Sequence, residues 1–263
     1  MTDAPVRRDR VRQAVVTAAE VFCVLGTLVG VGVLGTRVAE SAGGALAADA
    51  TLIAPAGPAF SIWSVIYAGL AAYTVWQWLP GAATSARTRT TGWLAAATMV
   101  LNATWLLVTQ QGWIWVSVGV IVALLIALGV LLQRLTRHPA SGVVERVVVD
   151  GTFGLYLGWV TVATCANITA ALVDSGVDPG PTASVLAAVA VLAVAAGVGI
   201  LLARRLGGRW SVAVALAWGL AWIVVGRLSD QPESTVTAVA AGVAALVVLV
   251  ATARQRSPRP AIG

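Results

Sequence analysis

Eight apolar stretches, each long enough to cross a bilayer, constrain this chain more than any other feature. They run Gln13–Thr36, Ala59–Leu79, Gly92–Thr109, Trp113–Leu132, Val147–Val173, Thr182–Leu202, Trp210–Gly226 and Ser234–Ala253. A helix needs about 20 apolar residues to span the hydrocarbon layer, and these runs supply that length. Alternating strand patterns are absent, so the spanning elements are helices and not a barrel. Composition agrees: 59% of residues are hydrophobic and 11% charged, against about 25% charged in a soluble domain. The fold class expected is an all-α integral membrane bundle.

The arginines fix an orientation. The chain has no lysine, so all 17 basic residues are arginine. With the N-terminus inside, Arg7, Arg8, Arg10, Arg12, Arg87, Arg89, Arg134, Arg137, Arg146, Arg204, Arg205, Arg209, Arg254, Arg256 and Arg259 fall on the cytoplasmic side. Only Arg37 and Arg227 fall outside, where Glu40, Asp49, Asp174, Asp178, Asp230 and Glu233 also lie. A wrong helix count would scramble this alternation, so the reading is N-in and C-in. The net charge of +6 therefore reports topology and not nucleic-acid binding. A basic cytoplasmic N-terminus (1–12) and a basic tail (254–263) flank the spans. Arginines precede the first span and "GALAADA" offers small residues, as in a cleaved signal. The apolar run is longer than a signal core of about 7–15 residues, which favours a retained helix. The arginine-only, Ala/Val-rich composition points to a GC-rich bacterial genome and a plasma membrane.

Several chemistries drop out. Without lysine there is no retinal or pyridoxal Schiff base and no lysine nucleophile. Cys23 and Cys165 sit inside apolar runs and read as buried small hydrophobes, not a disulfide framework. The single histidine, His138, lies in the loop "LTRHPASG", so no intramembrane histidine is available to haem iron or a metal cluster. No Ser-His-Asp set, phosphate-binding glycine loop or metal-spaced carboxylate cluster appears, so nothing argues for an enzyme and no cofactor is required.

Three stretches carry more than composition. In "FSIWSVIY", Trp63 and Tyr67 are four apart and share a helix face just after Phe60. In "LNATWLL", Asn102 and Trp105 are three apart. In "LYLGWVTVATCANI", Tyr156, Trp159, Ala163 and Asn167 form one stripe. A mid-membrane amide must find a partner, so Asn102 and Asn167 should face the interior and bond across helices, to one another among the options. Trp78, Trp93, Trp113, Trp115 and Trp210 sit at helix ends as interfacial belt residues. Trp218 and Trp222 lie deeper and read as packing or lipid contact. Two carboxylates fall within spans: Glu20 in the first and Asp150 early in the fifth. Either is a candidate proton-coupling group, although Asp150 could simply pair with Arg146 four residues back.

Taken together, the three stretches resemble the translocator protein/tryptophan-rich sensory protein (TspO/MBR) family. Phe60, Trp63 and Tyr67 match its aromatic start of the second helix after a proline-containing loop. Asn102 and Trp105 match its third helix, and Tyr156, Trp159, Ala163 and Asn167 its fifth. The resemblance covers roughly Val15 to Val173, so it divides the spans into a five-helix unit (13–173) and three further helices (174–253) without a counterpart. It departs in the first loop, where "AADATLIAPAG" lacks the family's Trp-Tyr pair and Lys-Pro step. It departs again at Leu155, where a proline is usual, and after Trp105, where "LLVTQQG" replaces phenylalanines. The resemblance implies a five-helix bundle whose pocket is closed by the first loop, Arg37 to Pro58. It implies a flat hydrophobic ligand such as a porphyrin, held by Phe60, Trp63, Tyr67, Asn102, Trp105, Tyr156, Trp159 and Asn167. Partners are then the bilayer and a small hydrophobic molecule. A homodimer is also allowed by the glycine-rich face "GTLVGVGVLG". The alternative is a proton-coupled small-solute transporter using Glu20 or Asp150.

Overall fold

The structure, a computed structural model, describes residues 6–256. Eight long helices are present: α1 Arg7–Gly30, α2 Ile62–Trp76, α3 Ala86–Gln110, α4 Ile114–Arg137, α5 Val143–Asp174, α6 Pro181–Arg205, α7 Trp210–Ser229 and α8 Thr235–Arg256. All eight are long and apolar enough to cross a membrane, the second when taken with the turn before it as Gly57–Trp76, and no strand occurs among the described residues.

The ends differ from the sequence reading for local reasons. α1 starts at Arg7 and not Gln13, so the basic segment is already helical. It stops at Gly30 and not Thr36, because Gly32 turns the chain with φ +81°, a conformation glycine adopts without penalty. α3 begins well before Gly92 because the Ser85 hydroxyl accepts a hydrogen bond from the Thr88 N–H and caps the helix. The second helix is announced by a 3-10 turn, Gly57–Ser61, with Pro58 in its first turn. α5 contains a π-helical turn, Arg146–Gly151, with Val149 and Asp150 buried.

α1 packs on α3, α3 on α4 and α4 on α5, while α2 bridges α5 and α1 and closes a five-helix ring. A second layer covers the far face of α5: α7 lies against α5, α8 against α7, and α6 against α8. Lipid tails are as apolar as leucine, so close packing and hydrogen bonds, not burial from water, hold such layers together. Glycine makes the closest approaches possible. A Cβ at Gly158 would stand 2.2 Å from the Val212 carbonyl oxygen of α7. A Cβ at Gly26 would stand 2.9 Å from the Ala103 Cβ of α3. The glycine face of α1, which could pair two copies, is thus used within one chain.

The arginine-rich end is closed by buried ion pairs. Asp9 binds Arg12 at 2.9 Å and Arg89 at 2.7 Å, tying α1 to α3. Asp150 does not pair with Arg146. Arg87 reaches it with 2.6 and 2.7 Å contacts, and Arg209 binds it as well. Arg87 also contacts Glu145 at 3.2 Å. Burial explains the change of partner: Arg146 is exposed, whereas Asp150 is buried where α3 and the start of α7 present Arg87 and Arg209.

Candidate functional site

At the opposite end the ring opens into a cavity of about 490 Å³. Phe60, Trp63 and Tyr67 of the α2 segment and Trp105 of α3 line it, with Thr27 and Gly30 of α1 and Val38, Ala39 and Ala48 of the first loop. This is the size and apolar character of a small-molecule site. The spacing read from the sequence is what builds the wall. Trp63 and Tyr67, one turn apart, stack with ring centroids 5.2 Å apart and 15° between planes. Trp63 also meets Tyr156 edge-on at 5.8 Å and Trp159 edge-on at 6.2 Å. Phe60 meets Trp159 edge-on at 5.6 Å. These edge-to-face and offset contacts are the favoured aromatic geometries, and they hold the rings of α2 against α5.

Polar bonds fix the orientation of the wall. The Asn102 amide donates to the Tyr67 hydroxyl at 3.0 Å and to Cys23 Sγ at 3.5 Å. Trp105 Nε1 donates to Asn167 Oδ1 at 2.8 Å. The Asn167 amide in turn donates to Ser117 Oγ at 3.0 Å, whose own hydroxyl reaches the Ile114 carbonyl at 2.7 Å and Asn167 Oδ1 at 3.2 Å. Tyr156 donates to the Thr98 carbonyl at 3.2 Å. The two asparagines therefore bond across helices but not to one another. Each serves a different aromatic residue, one on α2 and one on α3. All eight candidate residues fall in one continuous cluster. Phe60, Trp63, Tyr67 and Trp105 face the cavity, while Asn102, Tyr156, Trp159 and Asn167 stand behind them. Trp159 and Asn167 line a narrower crevice of about 50 Å³ beneath the first loop. Trp159 is 1% exposed, and its indole N–H has no hydrogen-bond partner among the described residues.

The first loop lies over this cluster as a series of turns, and α7 holds it there. The Ala56 N–H donates to the Trp222 carbonyl at 3.2 Å. Trp218 Nε1 donates to the Ala59 carbonyl at 2.9 Å. Arg227, 1% exposed, donates to the carbonyls of Thr51 at 3.2 Å, Ala48 at 3.1 Å and Pro232 at 2.9 Å. Ile53 is buried among Leu216, Leu220 and Ile223 of α7. Sequence reading missed Arg227, Thr27, Ser64 and Ser117 as parts of the site or its support. The signal for Arg227 was present: it is one of two arginines on the wrong side of the charge pattern. The other, Arg37, lines the cavity.

The two intramembrane carboxylates part company. Asp150 is held by two guanidinium groups. Glu20, midway along α1, is 6% exposed, and neither carboxylate oxygen has a hydrogen-bond partner among the described residues.

The fold and site define a multi-pass helical membrane protein with an aromatic cavity beneath a pinned loop. Comparison with protein families matches residues 15–253 to the TSPO-like protein family, and the chain belongs to it. The match runs through α8, so the last three helices fall inside it and not beyond it. No curated protein and no solved structure matches the chain.

Proposed function

We propose that the protein binds a flat, hydrophobic small molecule in the cavity beneath the first loop, for sensing or handling at a bacterial plasma membrane. The observation that carries this reading is the 490 Å³ cavity with Phe60, Trp63, Tyr67 and Trp105 on its wall. Aromatic faces offer stacking area at little entropic cost, and the hydroxyls of Thr27, Ser64 and Tyr67 offer a few polar contacts to orient a guest. A tetrapyrrole fits this chemistry. With no membrane histidine to ligate iron, metal-free porphyrin is the guest to test. The test is a titration of the detergent-solubilised protein with protoporphyrin, followed by tryptophan quenching. Saturable quenching is expected, weakened about tenfold in Trp63→Ala, a loss typical of a stacked aromatic contact with its buried area. Quenching that does not saturate, or is unchanged in Trp63→Ala, overturns the reading.

Glu20 favours a second reading, proton-coupled transport of a small solute, because intramembrane carboxylates mark proton relays and this one has no hydrogen-bond partner among the described residues. Uptake driven by a proton gradient in proteoliposomes should then vanish in Glu20→Gln. Asp150, held by Arg87 and Arg209, is a poorer carrier. Uptake that persists in Glu20→Gln removes this reading.

A further inference from the structure

Among the described residues, Arg37 is the one charged residue on the cavity wall. Two local devices put it there. The Gln110 side chain brackets Thr36, its Oε1 accepting from the Thr36 N–H at 3.2 Å and its Nε2 donating to the Thr36 carbonyl at 2.8 Å. Gly32, at φ +81°, leaves room for the Arg37 stem, since a Cβ there would stand 2.8 Å from Arg37 Cγ. Arg12, Arg87, Arg134, Arg209 and Arg227 all donate to carboxylates, hydroxyls or carbonyls of the chain. Arg37 has no such partner among the described residues, and Glu40, three residues on, forms no ion pair with it. It also sits on the side of the membrane that the charge pattern otherwise keeps clear of arginine. Arg227, the other exception, is consumed by backbone carbonyls. Arg37 therefore offers an unengaged guanidinium to whatever enters an otherwise uncharged aromatic cavity.

We infer that the ligand is an amphipathic carboxylate, its flat apolar body against Trp63 and Tyr67 and its carboxylate on Arg37. This rests on the binding reading above and specifies its ligand class. The guanidinium fork matches a carboxylate with two parallel N–H donors, a geometry that selects an acid over its ester. Arg37 is largely exposed, so solvent screens the pair and the gain is modest.

The test uses the full-length protein in phosphatidylcholine nanodiscs and two probes with the same ring, mesoporphyrin and its dimethyl ester. The wild type should prefer the diacid by about five- to tenfold, the range for a partly screened charge-assisted contact. Arg37→Gln should erase the preference by weakening the diacid and leaving the ester unchanged. Should Arg37→Gln fail to fold, the wild type alone decides, because the diacid preference must shrink as salt rises. Equal binding of acid and ester by the wild type, or a preference that survives Arg37→Gln, overturns the inference while the pocket stands. Displacement of the diacid but not the ester by added phosphatidylglycerol also overturns it, assigning Arg37 to a lipid phosphate. Binding of neither probe refutes the pocket reading itself.

Discussion

Trp105 and Trp159 stand on one aromatic wall and differ in the fate of a single N–H. The Trp105 indole donates to Asn167 Oδ1 at 2.8 Å, whereas the Trp159 indole has no partner among the described residues. Replacing each by phenylalanine removes similar ring area, so the hydrogen bond should separate them. Trp105→Phe leaves Asn167 Oδ1 with only the longer contact from the Ser117 hydroxyl at 3.2 Å, whose proton is shared with the nearer Ile114 carbonyl at 2.7 Å. A fully unsatisfied buried acceptor costs about 1–3 kcal/mol in soluble proteins, and interhelical bonds in membranes average nearer 0.6 kcal/mol, so the loss of the shorter of two donors should cost about 1 kcal/mol. Trp159→Phe loses no hydrogen bond and removes an unsatisfied donor. Thermal unfolding in detergent should place Trp105→Phe about 2–4 °C below Trp159→Phe, the shift that 1 kcal/mol makes in a chain of this size. Equal midpoints, or the reverse order, would mean that the Trp105–Asn167 bond contributes nothing to stability.

At the level of elements, the helices were legible because their signal is local. Length, hydropathy and the alternation of arginines are written residue by residue, and the eight spans follow from them. The 3-4-4 stripe Tyr156, Trp159, Ala163, Asn167 likewise gave the inward face of α5 without knowledge of any neighbour. Partners were less legible. That Asp150 should bind Arg87 and Arg209 depends on a packing order that brings α3 and the start of α7 to the same spot, which no periodicity in "RVVVDG" betrays. The asparagines had several polar neighbours to choose from, and only the three-dimensional order of helices assigns Asn102 to Tyr67 and Asn167 to Trp105. The first loop was the least legible. "AADATLIAPAG" has neither aromatic residues nor period, because what holds it is its backbone. Arg227 and the Trp222 carbonyl bind main-chain groups, and a main-chain partner leaves no mark on side-chain sequence.

For the whole molecule, the two layers divide the work. The five-helix ring contributes the cavity, with its arginine-rich end locked by Asp9 and Asp150 and its other end left under a loop that has little internal structure. The second layer contributes the hold on that loop. This gives α6–α8 a function that the ring alone cannot supply: without α7, Ala48, Thr51, Ala56 and Ala59 lose their partners, and the Gly154–Gly158 face of α5 loses the helix that fits it. Removing residues 177–263 and making Arg227→Gln separate the two effects. The truncation should lose both the packing and the lid. It is expected to melt lower and to exchange backbone amides faster across residues 45–56. Arg227→Gln keeps the packing and loses only the clamp at Ala48 and Thr51. Its melting should fall modestly, by the cost of breaking contacts to two loop carbonyls and Pro232, about 1–3 kcal/mol for charged hydrogen bonds. Exchange across 45–56 should rise as it does in the truncation, while the rest of the bundle stays protected. Protection of 45–56 unchanged in Arg227→Gln would show that the loop holds its place by the burial of Ile53 and the bonds to Trp218 and Trp222, and the arginine would then be a passenger in α7.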